Sequence, residues 1–459
     1  MAKGREIPGS PQRETDRSTR NHKVEFAFAF ALGEFLSILV RGERKTFAMR
    51  RNSLSPLFQK VFSRCQNRPL TFVLLLGLVS LLADLTYEGA RSILGPYLGT
   101  LGASGKVVAI IAGAGELVGF AFRFLSGTLT DQTRRYWTIT LAGYAVNLLA
   151  VPALALTQRW EWACALVVLE RMGKGLRTPA RDAMLSQVVT PLGRGWGFGL
   201  HEALDQVGAM GGPLLVAAVL AFEGNYRVAF ATLAIPAVFA LLVLNGARIL
   251  YPRPHEVERE EPANPTGPLR RTFWWYLVAA SLMAAGFVDF PLVAFHLERS
   301  QKLPPPLLPL LYSLAMGADA VGALLLGRLY DRLGLRVVLA STLLSLPATP
   351  MIFLGDFWVA FVGILFWGIG LGAQESILRA AIASMTPSHR RGSSYGLFSM
   401  TYGFAWFLGS SILGVLYEQK LSFMVGVSAG FLFFSCLILF LLCRNTPQLS
   451  TKGTQLVFL

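Results

Sequence analysis

The chain has 459 residues, of which 53% are hydrophobic and only 15% are charged. A soluble globular domain carries about 25% charged residues, so this composition excludes an ordinary soluble fold. The formal net charge of +15 would favour nucleic-acid binding in a soluble protein, but here the cations lie in short segments between apolar runs. We therefore expect no nucleic-acid partner and attribute the charge to the preference of Lys and Arg for cytoplasmic loops.

Apolar runs of about twenty residues recur along most of the chain, and each is long enough to cross a hydrocarbon core of roughly 30 Å as a helix. A segment inside lipid must satisfy its own backbone hydrogen bonds, either as a helix or as a barrel strand that alternates apolar and polar residues. Runs such as 72–82 and 430–442 do not alternate. The sequence therefore predicts an all-α integral membrane protein with about twelve transmembrane helices.

The segment before the first strong span, residues 1–68, is polar and basic and is interrupted by an apolar stretch at 24–40. This stretch contains two glutamates and a glycine. It fits an interfacial amphipathic helix, a weak additional span, or no structure of its own. Met49 offers an alternative start, which would make residues 1–48 a functionally empty extension. No small-residue cleavage site follows the apolar stretch, so we do not expect a signal peptide.

Twelve predicted spans follow, in two groups of six. They are 71–98, 106–128, 137–157, 162–185, 198–221, 227–248, 273–297, 307–328, 337–354, 358–383, 394–417 and 423–443. The predicted domains are a six-helix half at 69–248, a linker at 249–272 rich in Pro and Glu, a second half at 273–445, and a tail at 446–459. Most arginines of the short loops fall on one side, which predicts that both termini and the linker are cytoplasmic.

The loop after the second span is repeated after the eighth. Gly127-Thr-Leu-Thr-Asp131-Gln-Thr-Arg134-Arg135 and Gly327-Arg-Leu-Tyr-Asp331-Arg332-Leu-Gly334-Leu-Arg336 lie 200 residues apart. A second match pairs Arg194-Gly195 with Arg391-Gly392 at a nearly equal offset. Duplicated six-helix units are typical of transporters built from two related, pseudo-symmetric halves.

The spacing within these loops predicts a latch. Glycines at a helix end allow close backbone approach, and the aspartates are placed to cap the next helical turn or to pair with an arginine. The arginines would hold the loop at the anionic inner leaflet. We expect this latch to form and break as the two halves rock.

These loops resemble the signature loop of the major facilitator superfamily. The copy at 327–336 matches that pattern fully, whereas the copy at 127–135 has Gln132 where a basic residue is usual and lacks the internal glycine. The resemblance covers roughly residues 70–445 and implies the fold of that superfamily. The first-span carboxylates, Glu116 and the segments 173–182 and 198–213 are similar to one bacterial branch, described mostly as efflux or general permeases.

Ionisable residues within the predicted spans are candidates for proton coupling or substrate binding, since they are costly in lipid and usually face a partner or a cavity. These candidates are Asp84, Glu88, Glu116, Arg171, Lys174, Arg177, Arg181, Asp205, Asp289 and Glu375. Several share a helix face at spacings of three and four, for example Asp84, Glu88 and Arg91. Alternatively, local pairs neutralise each other and only hold helices together. Asp289 stands alone on the seventh span.

The resemblance adds roles to some of these residues. Asp84 and Glu88 lie on a helix that lines the cavity in this superfamily, which would suit them to carry protons. Arg171 with Gly175 is similar to the fourth-helix arginine motif linked to proton coupling. Gly208, Gly212 and Pro213 partly resemble the fifth-helix Gly-Pro motif of antiporters, and such small residues also permit close helix packing.

The combined expectation is a secondary transporter that exports a small amphipathic solute with protons by alternating access. A proton symporter for an organic anion or nutrient remains an alternative, as does a non-transporting membrane sensor with a transporter fold. We find no catalytic or phosphate-binding motif and expect no enzyme activity, cofactor or bound metal. The expected setting is the cell membrane, specifically a bacterial inner membrane, with lipid, solute and protons as partners and a functional monomer.

Overall fold

The computed structural model describes residues 69–188, 194–252, 271–300, 304–386 and 391–445. Every regular element within these ranges is helical, and none is a strand. The described residues from 72 to 445 belong to one compact unit. The predictions made for residues 1–68, for most of the linker and for the tail 446–459 lie outside the described residues.

The helices form twelve spans, numbered here in chain order. Spans 1 to 6 are Pro69–Thr100, Gly105–Thr133, Tyr136–Ala153 with the 3-10 turn Leu154–Leu156, Trp160–Val188, Arg194–Glu223, and the pair Tyr226–Thr232 and Ala234–Leu250. Spans 7 to 12 are the pair Arg271–Gly286 and Phe290–Arg299, then Leu307–Leu333, the pair Leu335–Ser345 and Ala348–Leu354, then Phe357–Met385, Arg391–Gln419 and Leu421–Asn445. The predicted all-α architecture of about twelve spans is therefore confirmed.

Eleven of these units in the described ranges are long and apolar enough to cross a bilayer. Span 4 is the exception, because charged residues recur along its 29 residues. Its length still suffices at 1.5 Å per residue. The ion pairs of those charged residues, described below, explain how this span is accommodated.

Three spans that the sequence predicted as single helices are broken, namely 227–248, 273–297 and 337–354. In span 7 the break leaves Asp289 extended, with a ψ of 143°, directly before the helix that opens with Phe290 and Pro291. A proline lacks the N–H that would continue the helix, so Pro291 suits the first turn of a new one. Span 9 breaks next to Pro347 and span 6 shortly before Pro236. The consequence for the site is that the backbone turns at Asp289.

The glycines predicted to allow packing in span 5 lie against span 1. A side-chain carbon at Gly208 would collide with the backbone carbonyl oxygen of Leu81, and one at Gly212 with that of Leu85. Span 5 and span 1 thus approach closely enough that only a hydrogen fits at these two positions. Pro213, inside the same helix, directly follows this contact.

In both repeated loops the residue after the helix has a positive φ and donates its N–H to the carbonyl four residues back, although its ψ differs, 22° at Arg134 and −137° at Gly334. Arg134 follows span 2 with a φ of 52°, and Gly334 follows span 8 with a φ of 59°. Close backbone approach, expected at Gly127 and Gly327, is not found here: Gly327 faces open space, and a carbon at Gly127 would meet only a side chain, at 3.9 Å. The glycines are thus not needed for packing in this conformation.

The other residues assigned to the latch are only partly described. Arg135 precedes the first residue of span 3, and Arg332 and Arg336 flank the Gly334 turn. The side chains of Asp131 and Asp331 lie outside the described residues, so the latch itself stays a prediction.

Candidate functional site

The basic stripe of span 4 faces the acidic stripe of span 1. Lys174 Nζ lies 3.9 Å from Glu88 Oε1, and Arg177 Nη2 lies 3.7 Å from Asp84 Oδ1. The Arg177 side chain is almost fully buried and stacks on the ring of Tyr144 at 4.2 Å. The two stripes therefore neutralise one another inside the first half.

The pairing continues towards the start of span 5. Arg181 contacts Asp182 at 2.9 Å and Asp205 at 4.0 Å, and it donates to the Ser80 hydroxyl at 2.8 Å. His201 lies one helical turn from Asp205, with its Nε2 also 4.0 Å from that carboxylate. These two residues therefore share a face of span 5, and Arg181 is the cation nearest to Asp205.

A second cluster surrounds Arg171. Its Nη1 lies 2.8 Å from Glu116 Oε1, and its Nε lies 3.4 Å from Glu170 Oε2. Asn147 of span 3 donates to the other Glu170 oxygen at 2.5 Å. Arg171 also donates to the hydroxyl of Tyr87, whose ring lies 3.7 Å from Lys174 Nζ. Tyr87 thus connects the two clusters.

Asp289, which stands alone on its own span in the sequence, has its partners on two other spans. Arg91 of span 1 pairs with its Oδ1 at 2.7 Å, and the Trp406 indole N–H donates to its Oδ2 at 2.8 Å. Close by, the Tyr312 hydroxyl donates to Glu88 Oε2 at 2.5 Å. These groups are buried, and the Arg91–Asp289 ion pair and the Tyr312–Glu88 hydrogen bond each join a residue of the first half to one of the second.

We call the end of the bundle where span 1 terminates at Thr100 the far end, and the opposite one the near end. At the far end the halves are in contact: Gly95 lies against the backbone of Pro291, and Gly99 lies against the ring of Phe295. The Lys106 backbone N–H donates to Glu418 at 3.1 Å, and Tyr226 donates to Glu298. These contacts therefore join the two halves at the far end.

Between the far-end contacts and the near end, carboxylates of the two halves lie close to each other. Glu202 of span 5 lies within electrostatic range of Asp84, Asp205 and Glu375 of span 10. Glu202 and Glu375 are exposed, although both lie well inside their spans. Since an exposed carboxylate at that depth requires water, we infer a solvated space between the halves. No group of three His, Cys, Asp or Glu within the described residues is arranged to hold a metal ion.

Sequence reasoning found most of the acids and bases but missed their partners. Tyr87, Tyr312, Trp406 and Asn147 all donate to or stack on the predicted residues. Arg91 was placed on the right stripe without a role, and Glu202 was not considered. The aromatic and amide partners lie at no fixed spacing along the sequence, so no sequence pattern identifies them. Glu202 is the exception, because an acid three residues before Asp205 shares its helix face.

Twelve helical spans form two halves that are joined at mid-span by a buried ion pair and a buried hydrogen bond and are in contact at one end. This arrangement defines a membrane transporter of the two-half type. The family model described as Major Facilitator Superfamily matches residues 76–409 and 277–456. The chain belongs to the major facilitator superfamily, which confirms the resemblance seen in the loop at 327–336.

The relatives and solved structures agree with this assignment. An uncharacterised protein of Mycobacterium tuberculosis is 41% identical over 364 residues, covering 78% of this chain and 89% of that protein. An uncharacterised MFS-type transporter of Methanocaldococcus jannaschii is 33% identical over 143 residues, covering 31% of this chain and 36% of that protein.

Two crystal structures, both inward-facing, share the fold. A bacterial homologue of the human lysosomal transporter Spinster has a TM-score of 0.64 at 14% identity, covering 82% of this chain and 97% of that one. A bacterial homologue of the iron transporter ferroportin has a TM-score of 0.65 at 15% identity, covering 82% and 99%.

Proposed function

We propose that the chain is a proton-coupled secondary transporter that exports a small amphipathic solute by alternating access. It acts as a monomer in the cell membrane, a bacterial inner membrane, with both termini in the cytoplasm. The arginines near the ends of spans 2 and 8, such as Arg134, Arg135 and Arg332, support this orientation. The near end is then cytoplasmic, and the contacts at the far end make this conformation inward-facing.

The observation that carries the proposal is the buried ion pair between Arg91 and Asp289. It joins span 1 to span 7, and its strength depends on the negative charge of one carboxylate. Protonation of Asp289 would leave a buried guanidinium without its nearest anion, which is strongly unfavourable in the closed arrangement. A proton that binds there therefore shifts the equilibrium between the closed and the open far end, so that the charge of Asp289 and the conformation of the two halves are linked.

Glu88 is placed to act in the same way. It accepts a hydrogen bond from Tyr312 of the second half and lies 3.9 Å from Lys174 of its own half. Its ionised form strengthens both contacts, because hydrogen bonds to charged acceptors are stronger than neutral ones. Asp84, one turn nearer the near end than Glu88, is paired with Arg177 in the same way.

A proton symporter for an organic anion is the rival that the basic stripe of span 4 suggested. Each cation of that stripe has a carboxylate within 4.0 Å: Arg171 with Glu116, Lys174 with Glu88, Arg177 with Asp84, and Arg181 with Asp205. A stripe matched in this way offers an anion little net positive charge. We therefore prefer export driven by exchange with protons.

The test uses inside-out vesicles with an acidic lumen, in which the lumenal pH is followed while cations, anions and neutral amphipathic compounds are added. We expect a compound to make the lumen less acidic with the natural chain but not with Glu88→Gln or Asp84→Asn. Glu161→Gln, which changes an exposed carboxylate paired only with Arg159, is the matched control and should behave as the natural chain.

Two results would contradict the proposal. Transport of a compound at the same rate and with the same proton movement by both carboxylate variants would remove the coupling role of Asp84 and Glu88. Tight binding of a compound without any flux would instead support a membrane sensor with a transporter fold.

A further inference from the structure

Arg91 lies between carboxylates of the two halves. Its Nη2 atom is 2.7 Å from Oδ1 of Asp289 in span 7 and 3.7 Å from Oε1 of Glu116 in span 2. Its Nη1 atom donates to the Tyr87 hydroxyl at 3.2 Å, and its Nε has no hydrogen-bond partner among the described residues. The guanidinium is therefore held through its two terminal nitrogens, one of which already faces a second carboxylate.

The first half can balance the charge of Arg91 without Asp289. Arg171 pairs with Glu116 at 2.8 Å and with Glu170 at 3.4 Å, so one cation is shared by two carboxylates. If Arg171 paired with Glu170 alone, Glu116 would become available to Arg91. Each of the two arginines would then have a carboxylate of its own, with no contribution from the second half.

The space around Arg171 allows such a change of partners. A cavity of about 220 Å³ is lined by Glu116 and Arg171, among other residues of spans 2 and 4. A second cavity of about 320 Å³ lies between spans 1, 3 and 4 and is lined by Arg91, Glu170 and Arg171. Tyr87 borders this second cavity, and its hydroxyl accepts hydrogen bonds from both arginines. The two guanidinium groups therefore have a common acceptor and room to shift.

We propose that Glu116 is a positioning residue that takes over Arg91 when Asp289 moves away with the second half. This inference rests on the proposed function and adds a step to its change of conformation. When the far end is closed, Arg91 pairs with Asp289, and Arg171 is shared by Glu116 and Glu170. When the far end opens, Arg91 pairs with Glu116. Arg171 then pairs with Glu170 alone. The exchange matters because a buried guanidinium that loses its anion is strongly unfavourable.

The test is a double-mutant cycle of Glu116→Gln and Asp289→Asn, with the accessibility of the far end as the measured quantity. The parent is the full-length chain with its native cysteines replaced by serine and with Phe295→Cys at the far-end contact. The rate at which a membrane-impermeant thiosulfonate labels position 295 from the far side reports the fraction of molecules with an open far end. Glu116→Asp, which keeps the negative charge, and Glu161→Gln, which changes an exposed pair, are the controls.

We expect Glu116→Gln to lower the labelling rate about fivefold or more, which is the lower range of coupling between two sites. The closed conformation keeps the pair of Arg91 with Asp289, whereas the open conformation loses the carboxylate that receives Arg91. In the Asp289→Asn background the same substitution should have little effect, because Arg91 then depends on Glu116 in both conformations. Glu116→Asp and Glu161→Gln should be labelled nearly as fast as the parent. A loosened structure would be labelled faster, so slower labelling cannot result from misfolding.

Two results would overturn the inference: a labelling rate that Glu116→Gln leaves unchanged or raises, or a decrease of the same size with and without Asp289→Asn. In the first case Glu116 only neutralises Arg171, and in the second it acts independently of Asp289. Failure of the proposed function is distinguishable, because the vesicle experiment follows proton movement and not the accessibility of the far end. Proton coupling in vesicles together with unchanged labelling of Glu116→Gln would remove only the exchange of partners.

Discussion

Replacement of Asp289 by asparagine tests the link between a buried charge and the conformation of the whole molecule. The substitution keeps the size of the side chain and removes its negative charge. Arg91 would then retain only Glu116, at 3.7 Å, as a carboxylate within ion-pair distance. Breaking one partner from a buried pair costs about 3–5 kcal/mol. Since Glu116 offsets part of this cost, we expect Asp289→Asn to destabilise the conformation with the closed far end by about 2 kcal/mol.

This cost falls on the conformation in which the far end is closed, because there Arg91 of span 1 meets Asp289 of span 7. A change of about 2 kcal/mol shifts the equilibrium between closed and open far ends by roughly 30-fold. The fold should persist, since each half keeps its own core.

The assay introduces Phe295→Cys, at the centre of the far-end contact, into a chain whose native cysteines are replaced by serine. A membrane-impermeant thiosulfonate is added from the far side, and the labelling rate is compared with and without Asp289→Asn. We expect the rate to rise by more than about tenfold. Glu161→Gln, which alters an exposed surface pair, should leave the labelling rate of Phe295→Cys unchanged. An unchanged or slower rate in Asp289→Asn would refute the reasoning, because the ion pair would then not hold the far end closed.

Three further substitutions test the packing and the turn. Gly95→Ala should abolish transport because its methyl group meets the backbone of span 7 when the far end closes, whereas Gly430→Ala, which faces open space, should transport normally in the vesicle assay. Gly212→Ala should lower the thermal unfolding temperature because it strikes the backbone of span 1, whereas Gly211→Ala on the same helix meets only a side chain at 3.8 Å and should not. Gly334→Ala should lower the free energy of unfolding by roughly 1 kcal/mol, because a φ of 59° penalises an L side chain, and denaturation in detergent at fixed lipid content would measure it.

The chain shows how a strongly charged helix is kept in a membrane. Span 4 carries Glu170, Arg171, Lys174, Arg177 and Arg181, and it is less apolar than the other spans, although the sequence predicted a span at 162–185. Spans 1, 2 and 5 supply a carboxylate for each of its cations, and span 3 supplies an amide for its glutamate. The cost of polar groups in the bilayer is thus offset by neighbours inside the bundle and not by the helix itself.

The sequence alone was sufficient for the number of spans, the two halves and the family. Length and hydropathy of each apolar run report whether it can cross the bilayer, and the duplicated loop records the internal repeat, so neither requires knowledge of contacts. The sequence also identified the acidic and basic stripes of spans 1 and 4, because positions three and four apart must share a helix face.

The tertiary structure decided which of those charges are matched and which are not. Asp289, alone on its own span, lies beside Arg91, 198 residues away along the chain. Only when the two halves are placed together does it emerge that Asp319 and Glu202 have no cation within 4.0 Å among the described residues. The breaks in spans 6, 7 and 9 likewise follow from prolines whose effect depends on the neighbouring packing. Electrostatic compensation depends on distance between spans, and helical periodicity describes only one span at a time.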